Sequence, residues 1–376
     1  MAQNPLRELQ SFGQSVWLDF LSRGLLKSGQ LARLIEEDGV SGVTSNPAIF
    51  EKAINGSTDY DGAIRELAQQ GLHSDLIYRA LVVADVTEAA DLLHPVYDRT
   101  RGRDGFVSLE VSPLFANDTA QTVSEAHALW RALLRHNVFI KVPGTREGIP
   151  AIRELIAEGI NVNVTLLFSL VRYREVARAY LEGLQMRLAR GLSIDEVASV
   201  ASFFLSRIDT LLDPQLEKAV KQGGASGKAA GELVGEVAIA SAKQAYHIYQ
   251  EVFQGPEFAP LREHGARPQR LLWASTSGKN PAYSDVKYVE ALIGAGTINT
   301  MPLETIEAYR DHGAPRLTLE DHMAQAQSVL ARLAELGIDL DAATDQLENE
   351  GVVKFATPFA SLMRTLEAKQ RLATAG

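Results

Sequence analysis

The sequence contains no cysteine, and this absence excludes several kinds of chemistry at once. Disulfides, cysteine-ligated zinc, cysteine-held iron–sulfur clusters and a thiol nucleophile all require that residue. The eight histidines are scattered, with no HxxxH or HExxH pair of the kind that holds a metal on one helix face. We therefore expect no metal site.

Long apolar runs and an excess of positive charge are also missing. The formal net charge is -10 and no dense basic patch offsets it, so a nucleic-acid partner is not expected. No apolar stretch approaches the length of a membrane span, and residues 1–10 lack an apolar core behind a basic flank. We expect a cytoplasmic protein without membrane association. Monomer and homodimer both stay open, because the apolar face of residues 319–336 fits either the barrel described next or a partner subunit.

Short β-rich apolar runs alternate with longer helical patterns, which is typical of βα units around a parallel sheet. Eight such runs predict an α/β fold, a (β/α)8 TIM barrel rather than an open sheet, with residues 1–376 in one domain. The runs are Ser15 to Phe20, Val40 to Ser45, Phe106 to Val111, Val138 to Val142, Asn161 to Phe168, Val197 to Leu205, Arg270 to Ser275 and Thr297 to Met301.

The remaining segments predict extra helices laid over the barrel. The interval 207–268 is too long for one helix, and we predict helices over 214–221 and 228–252. Between them, the small-residue segment 222–230 predicts a surface loop. From about residue 303 the chain is nearly all helical, and this C-terminal segment is expected to close one mouth of the barrel.

Lys141 stands at the C-terminal end of one apolar run, in Asn137-Val-Phe-Ile-Lys-Val-Pro-Gly-Thr145. A strand buried on both faces is nearly continuous in apolar residues, and an unpaired ammonium there is costly. Desolvation lowers the pKa of a lysine, and a neutral lysine can form a Schiff base with a carbonyl. The alternative is a structural lysine whose methylene stem carries the ammonium to water.

Polar residues recur at the ends of the other runs, where the chemistry of such a barrel lies. The candidates are Asp19, Asn46, Glu110, Lys141, Asn163, Thr165, Ser202, Arg207, Ser275 and Lys279. As a set, acids, amides, hydroxyls and cations on one predicted rim indicate an active site.

Each candidate also has a structural alternative. Asp19 could cap a helix, and Asn46 before a proline could serve a turn. Glu110 could lie on an outward face, and Arg207 could pair with Asp209 on a helix surface. Thr165 and Ser202, in the fifth and sixth runs, could serve strand packing alone.

A neutral lysine among carboxylates suits iminium formation and the making or breaking of the carbon–carbon bond next to the imine carbon. The protonated imine is then the electron sink, so no cofactor is needed. One carboxylate moves the proton of the substrate hydroxyl, and another holds the water of imine formation. Amides and hydroxyls can fix sugar hydroxyls, whereas Arg207 and Lys279 can hold a phosphate.

Five motifs, in order and at strand ends, resemble the transaldolase family, in its larger bacterial branch. They are Val16-Trp-Leu-Asp19, Gly42-Val-Thr-Ser-Asn-Pro47, Ile140-Lys-Val-Pro-Gly-Thr145, Asn161-Val-Asn-Val-Thr-Leu-Leu-Phe168 and Ala201-Ser-Phe-Phe-Leu-Ser-Arg-Ile-Asp209. The closing Gly351-Val-Val-Lys-Phe355 is similar to the family's tail. The resemblance implies reversible transfer of a dihydroxyacetone unit from sedoheptulose 7-phosphate to glyceraldehyde 3-phosphate, giving erythrose 4-phosphate and fructose 6-phosphate, in the non-oxidative pentose phosphate pathway.

The resemblance also implies a role for each position in these motifs. The catalytic roles are the Schiff-base lysine for Lys141, the acid/base on the cleaved hydroxyl for Asp19, and the pair holding the catalytic water for Glu110 with Thr165. Asn46, Asn163 and Ser202 are implied to bind the dihydroxyacetone unit, and Phe204 is placed with them among the substrate-binding residues. Arg207 and Ser275 are implied to bind the phosphate. Where the shorter branch has an arginine soon after the serine, this chain has Lys279, and we hypothesise that Lys279 supplies the missing charge.

Two other functions share part of this pattern. A fructose-6-phosphate aldolase-like lyase has the same lysine and releases dihydroxyacetone, but it has a tyrosine where this chain has Phe204 and lacks the long tail. A non-catalytic barrel that binds sugar phosphates would have no need for Lys141 beside Asp19 and Glu110. Phe204 and the long tail both favour transfer over the lyase reaction.

Overall fold

Eight parallel strands close into a barrel in the computed structural model, which describes residues 4–374. Every residue of these strands is buried, as expected for a sheet covered by helices on its outer face. The strands are β1 Gln14–Leu18, β2 Gly42–Val43, β3 Phe106–Glu110, β4 Val138–Pro143, β5 Val162–Leu167, β6 Ser199–Phe204, β7 Arg270–Ala274 and β8 Thr297–Met301. The predicted (β/α)8 barrel is thereby confirmed, with each strand inside or within one residue of its predicted run.

Aromatic side chains fill the barrel interior below the strand ends. The Trp17 ring lies 6.5 Å from the Phe106 ring and 6.1 Å from the Phe139 ring, measured between centroids. The indole N–H donates to Asp104 at 3.0 Å, which satisfies its polar group. Gly42 makes room for the indole, because a Cβ at that position would lie 2.4 Å from it. This layer closes the interior, so a substrate must enter from the C-terminal ends of the strands.

Helices follow the strands and surround the barrel. They are α1 Pro5–Ser11, α2 Arg23–Lys27, α3 Gln30–Asp38, α4 Pro47–Asn55, α5 Asp61–Gln69, α6 Ser74–Arg99, α7 Thr119–Leu133, α8 Gly148–Glu158, α9 Leu170–Ala189, α10 Ser206–Gln222, α11 Gly224–Gly231, α12 Val237–Phe253, α13 Ala259–Glu263, α14 Lys287–Glu290, α15 Leu303–His312, α16 Met323–Glu335 and α17 Leu340–Thr374. Within residues 4–374, none of these helices combines the length and the apolar character needed to cross a membrane.

The interval after β6 differs from the sequence-based expectation. Helix α10 begins at Ser206, ahead of the predicted start, and segment 222–230, expected as a loop, is mostly helix α11. Gly227 packs so closely against α10 that a Cβ would lie 2.9 Å from the Ala219 carbonyl oxygen. Small residues thus permit a helix–helix contact that local propensity does not reveal. The expected helix over 228–252 is divided between α11 and α12.

The last helices pack onto the barrel. Helix α16 buries Ala326, Val329 and Leu333 and packs against α12, so this apolar face covers the barrel's helical layer. Helix α17 packs against α4, α5, α6 and α10, and its Phe355 lines a cavity at the C-terminal ends of the strands. The C-terminal segment therefore covers the mouth where polar side chains were predicted to gather.

Candidate active site

Strand register brings three polar side chains to one level of the barrel. Glu110 on β3 is aligned with Lys141 on β4, and Lys141 is aligned with Asn163 on β5. Side chains alternate between the two faces of a strand, so these three share the inward face with Phe139 one level below. The polar level therefore rests directly on the aromatic layer.

Lys141 is buried and paired. Its Nζ lies 3.1 Å from Glu110 Oε2 and donates to the Ser45 carbonyl oxygen at 3.1 Å. The side chain is only 5% exposed, and the Phe355 ring centre lies 5.8 Å from Nζ, so the lysine does not reach water along its stem. Burial raises the pKa of the Glu110 carboxyl, and the charge of Lys141 opposes that rise. The Glu110 carboxyl is thus in contact with the amine, and the alternative that it faces outward is wrong.

Asp19 lies on the other side of the same cavity, half-buried. Thr44 Oγ1 donates to Asp19 Oδ1 at 2.6 Å and lies 2.7 Å from Thr300 Oγ1. Burial raises the pKa of the Asp19 carboxyl, and Lys141 opposes the rise. Asp19 does not cap the following helix, because that role belongs to Ser22. Its carboxyl is therefore oriented by one hydroxyl and otherwise open to the cavity.

A cavity of about 190 Å³ opens between these groups at the C-terminal ends of the strands. All the predicted site residues line it except Glu110, Asn163 and Thr165. Asn46 lines the cavity and also caps α4, since its Oδ1 accepts from the Ile49 N–H at 3.0 Å. Asn46 therefore has a structural role through its Oδ1, and its Nδ2 remains available to bind a ligand. The structural alternative and the site prediction can both apply to this residue.

The three residues outside the lining lie behind it. Asn163 is fully buried, donates to Ser108 Oγ at 3.0 Å and accepts from Ser202 Oγ at 2.7 Å, so it orients Ser202. Thr165 is fully buried as well. Within residues 4–374, Thr165 Oγ1 and Glu110 Oε1 have no hydrogen-bond partner. Buried polar atoms are normally paired, so these two oxygens are suited to hold water.

Arg207 offers a cation to the cavity from the start of α10. Its guanidinium carbon lies 5.3 Å from the Phe204 ring centre and 5.8 Å from the Phe355 ring centre. Its Nη1 is buried and has no hydrogen-bond partner in the described part of the chain. Burial lowers the pKa of Arg207, and the charges of Asp19 and Glu110 oppose that shift. A partly buried cation with a donor to spare is suited to bind an anion.

The loop after β7 adds hydroxyls and a second cation. Ser275 has a φ of 55°, which is uncommon for a residue other than glycine, and its Oγ lies 2.8 Å from Ser206 Oγ at the start of α10. Lys279 donates to Ser277 Oγ at 2.7 Å, and all three loop residues line the cavity. The alternative that Arg207 pairs with Asp209 on a helix surface does not apply. Asp209 is buried and accepts from the Ala238 N–H instead.

The cavity is also lined by residues that were not predicted, among them Thr44, Thr300, Glu304 and Phe355. Thr44 occupies the inward-facing position before Asn46 in the same motif, so strand alternation identifies it. Thr300 and Glu304 follow from the strand-end rule applied to the eighth run. Phe355 has no such signal, because it reaches the cavity from α17.

Comparison with known proteins covers nearly the whole chain. A family model described as transaldolase/fructose-6-phosphate aldolase matches residues 16–366. The chain is 46% identical to a transaldolase 2 from Nostoc sp., over 99% of both chains. It is 47% identical to a transaldolase from Trichodesmium erythraeum, over 100% of both chains. It is 48% identical to a transaldolase from Thiobacillus denitrificans, over 96% of this chain and 99% of the other.

Proposed function

This chain belongs to the transaldolase/fructose-6-phosphate aldolase family, and we propose that Lys141 is its Schiff-base lysine. The enzyme is a transferase: it moves a dihydroxyacetone unit reversibly from sedoheptulose 7-phosphate to glyceraldehyde 3-phosphate, giving erythrose 4-phosphate and fructose 6-phosphate. This reaction belongs to the non-oxidative pentose phosphate pathway. One observation supports the lysine assignment above all: a buried primary amine lies 3.1 Å from a carboxylate and lines the cavity.

Imine formation begins with a proton transfer. Lys141 gives a proton to Glu110, whose raised pKa makes it a better proton acceptor than an ordinary carboxylate. The neutral amine then attacks the C2 carbonyl carbon of the ketose and a C–N bond forms. The C2 oxygen takes one proton from the amine nitrogen and the other back from Glu110, and the C–O bond breaks to release water and leave the protonated imine. Glu110 Oε1 and Thr165 Oγ1 hold that water, as well as the water that later hydrolyses the imine.

Asp19 carries out the next proton transfer. It accepts the proton of the C4 hydroxyl, the C3–C4 bond breaks, and the electron pair moves toward the protonated imine to give an enamine. The aldose leaves as an aldehyde. In the second half, the enamine C3 attacks the acceptor aldehyde, and Asp19 returns its proton to the new alkoxide. A carboxyl with a raised pKa suits both directions, because the best acid–base group titrates near the working pH.

The remaining lining residues bind the sugar. The Asn46 amide and the Ser202 hydroxyl, held by Asn163, bind hydroxyls of the dihydroxyacetone unit. Phe204 and Phe355 keep water from the intermediate. Arg207, Ser275 and Lys279 hold the phosphate, the first from the start of α10 and the other two from the loop after β7.

The decisive experiment combines trapping with transfer. Fructose 6-phosphate and borohydride should leave a reduced three-carbon adduct that peptide mass spectrometry locates on Lys141. With erythrose 4-phosphate as acceptor, sedoheptulose 7-phosphate should form without free dihydroxyacetone. Release of dihydroxyacetone would identify a lyase, and no adduct would identify a binding protein. An adduct on another lysine would refute the assignment of Lys141.

Lys279→Ala tests the phosphate site. The change should raise KM for glyceraldehyde 3-phosphate about tenfold, the loss of one charge-assisted contact, and leave kcat within about twofold. KM for unphosphorylated glyceraldehyde should not change. Lys218→Ala, which removes an exposed lysine further along α10, serves as the control. Equal effects on the two acceptors would exclude Lys279 from the phosphate site.

We also propose that the enzyme works in the cytoplasm, as one domain, and as a monomer or homodimer. Phosphorylated sugars are charged and do not cross an apolar bilayer unaided, so the enzyme must share their compartment. Phe355 of the C-terminal segment lines the barrel's cavity, which supports a single working unit.

A further inference from the structure

The loop that carries Lys279 is tied to α10 by a tyrosine. This loop, residues 275–286, runs from β7 to α14. The Lys279 ammonium donates to Ser277 Oγ within the same loop. Further along, Tyr283 Oη donates to Asp213 Oδ2 on α10 at 2.6 Å. The Tyr283 N–H donates to the Asn280 carbonyl at 3.0 Å, which closes a turn between Lys279 and Tyr283. The turn therefore links Tyr283 to Asn280, the residue that follows Lys279.

Two buried carboxylates on α10, one turn apart, each accept one tyrosine hydroxyl and one backbone N–H. Asp213 accepts from Tyr283 and, through Oδ1, from the Gly235 N–H at 2.8 Å. Asp209 accepts from Tyr288 Oη and from the Ala238 N–H, both at 2.8 Å. Each carboxylate therefore joins the start of α12 to a tyrosine in the segment after β7. Helix α10 is also the helix whose first turn contains the phosphate-binding arginine proposed above.

Tyr283 is also held by packing on its ring and hydroxyl. Lys287 Nζ lies 3.6 Å from the ring centre and donates to the Gly235 carbonyl. Gly235 has a φ of 77°, and a Cβ there would lie 2.7 Å from both Lys287 Nζ and Tyr283 Oη. Burial and the charge of Asp213 raise the pKa of Tyr283, so its hydroxyl stays protonated and donates.

We propose that the Tyr283–Asp213 hydrogen bond positions the phosphate subsite, by holding the loop of Lys279 at a set distance from the helix of Arg207. The proposal rests on the phosphate role assigned above to these two cations. Lys279 lines the active-site cavity and also a second cavity of about 330 Å³, which Asp213 and Tyr283 line too. A loop released from Asp213 has space on that side, into which Lys279 can move.

Positioning by Tyr283 should be visible only with phosphorylated substrates, because the carbonyl end of the sugar is bound from other strands. Tyr283→Phe removes the hydroxyl and keeps the ring under Lys287. It should raise KM for glyceraldehyde 3-phosphate, and the inhibition constant of inorganic phosphate, about fivefold. We expect kcat, and KM for unphosphorylated glyceraldehyde, to stay within about twofold of wild type.

The matched control is Tyr288→Phe. It removes the same kind of hydrogen bond to the same helix, but from α14 rather than from the loop. We expect a lower Tm and unchanged KM for both acceptors. A rise in KM equal to that of Tyr283→Phe would mean general loosening and would overturn the proposal.

A double-mutant cycle with Lys279→Ala decides whether Tyr283 acts through Lys279. If it does, Tyr283→Phe has no further effect on KM in the Lys279→Ala background. Additive effects, or no effect of Tyr283→Phe alone, overturn the positioning role and leave the phosphate site intact. If Lys279→Ala has no effect on KM, the phosphate assignment of Lys279 and the positioning role are both wrong, while the Lys141 adduct tests the catalytic assignment separately.

Discussion

Lys141→Arg is expected to lower turnover by more than about 10⁴-fold while the fold stays intact. The guanidinium of arginine stays protonated in proteins and cannot form the imine on which both half-reactions depend. The fold should persist because arginine keeps a positive charge beside Glu110 Oε2, which is buried with Lys141. An uncompensated carboxylate, the usual cause of severe destabilisation at such a position, is not created.

Turnover, trapping and stability are measured together. The coupled transfer assay should show no activity above background, borohydride with fructose 6-phosphate should leave no adduct, and Tm should stay close to wild type. Lys243→Arg is the control, since Lys243 is also buried and donates to the Thr318 carbonyl at 2.8 Å, away from the cavity. Activity near wild type in Lys141→Arg would refute the Schiff-base assignment, whereas inactivity of both variants would point to a general effect of the larger side chain.

The barrel was predictable because parallel strands buried on both faces are nearly continuous apolar runs. The same reasoning identified the strand ends as the place for chemistry, and Asp19 and Lys141 do line one cavity there. The sequence pattern does not show which inward-facing side chains reach the cavity and which lie behind its lining. Asn163 and Ser202 both face inward, but only the structure shows that the Asn163 amide is occupied by Ser108 and Ser202.

Contacts between segments far apart in the chain were not predictable. The C-terminal segment was expected to close one mouth of the barrel, but no local pattern showed that the Phe355 ring would lie over Lys141 and Arg207. Helix α11 forms because Gly227 fits against α10, although its composition favours a loop. The tyrosine connections to Asp213 likewise depend on how the loop after β7 folds back onto α10.

Asp19→Asn is expected to lower kcat about 10²- to 10⁴-fold with little change in KM, because an amide cannot accept the C4 hydroxyl proton. Thr44 can still donate to Oδ1, so the side chain should keep its orientation. The reaction should stop at the imine of the intact ketose. Borohydride with fructose 6-phosphate would then trap a six-carbon phosphorylated adduct on Lys141, where the wild type gives a three-carbon adduct. Peptide mass spectrometry separates the two.

The pH profile gives an independent test of the same role. Asp19 must be ionised to accept a proton, so wild-type kcat should fall as pH falls through the pKa of Asp19, which burial raises above the usual range of a carboxyl. That acid limb should be missing in Asp19→Asn. Asp85→Asn, which changes a buried carboxylate paired with Arg23 away from the cavity, should keep the limb and the three-carbon adduct. If Asp19→Asn forms the three-carbon adduct at the wild-type rate and only KM rises, Asp19 binds the substrate and the proton transfer belongs to another group.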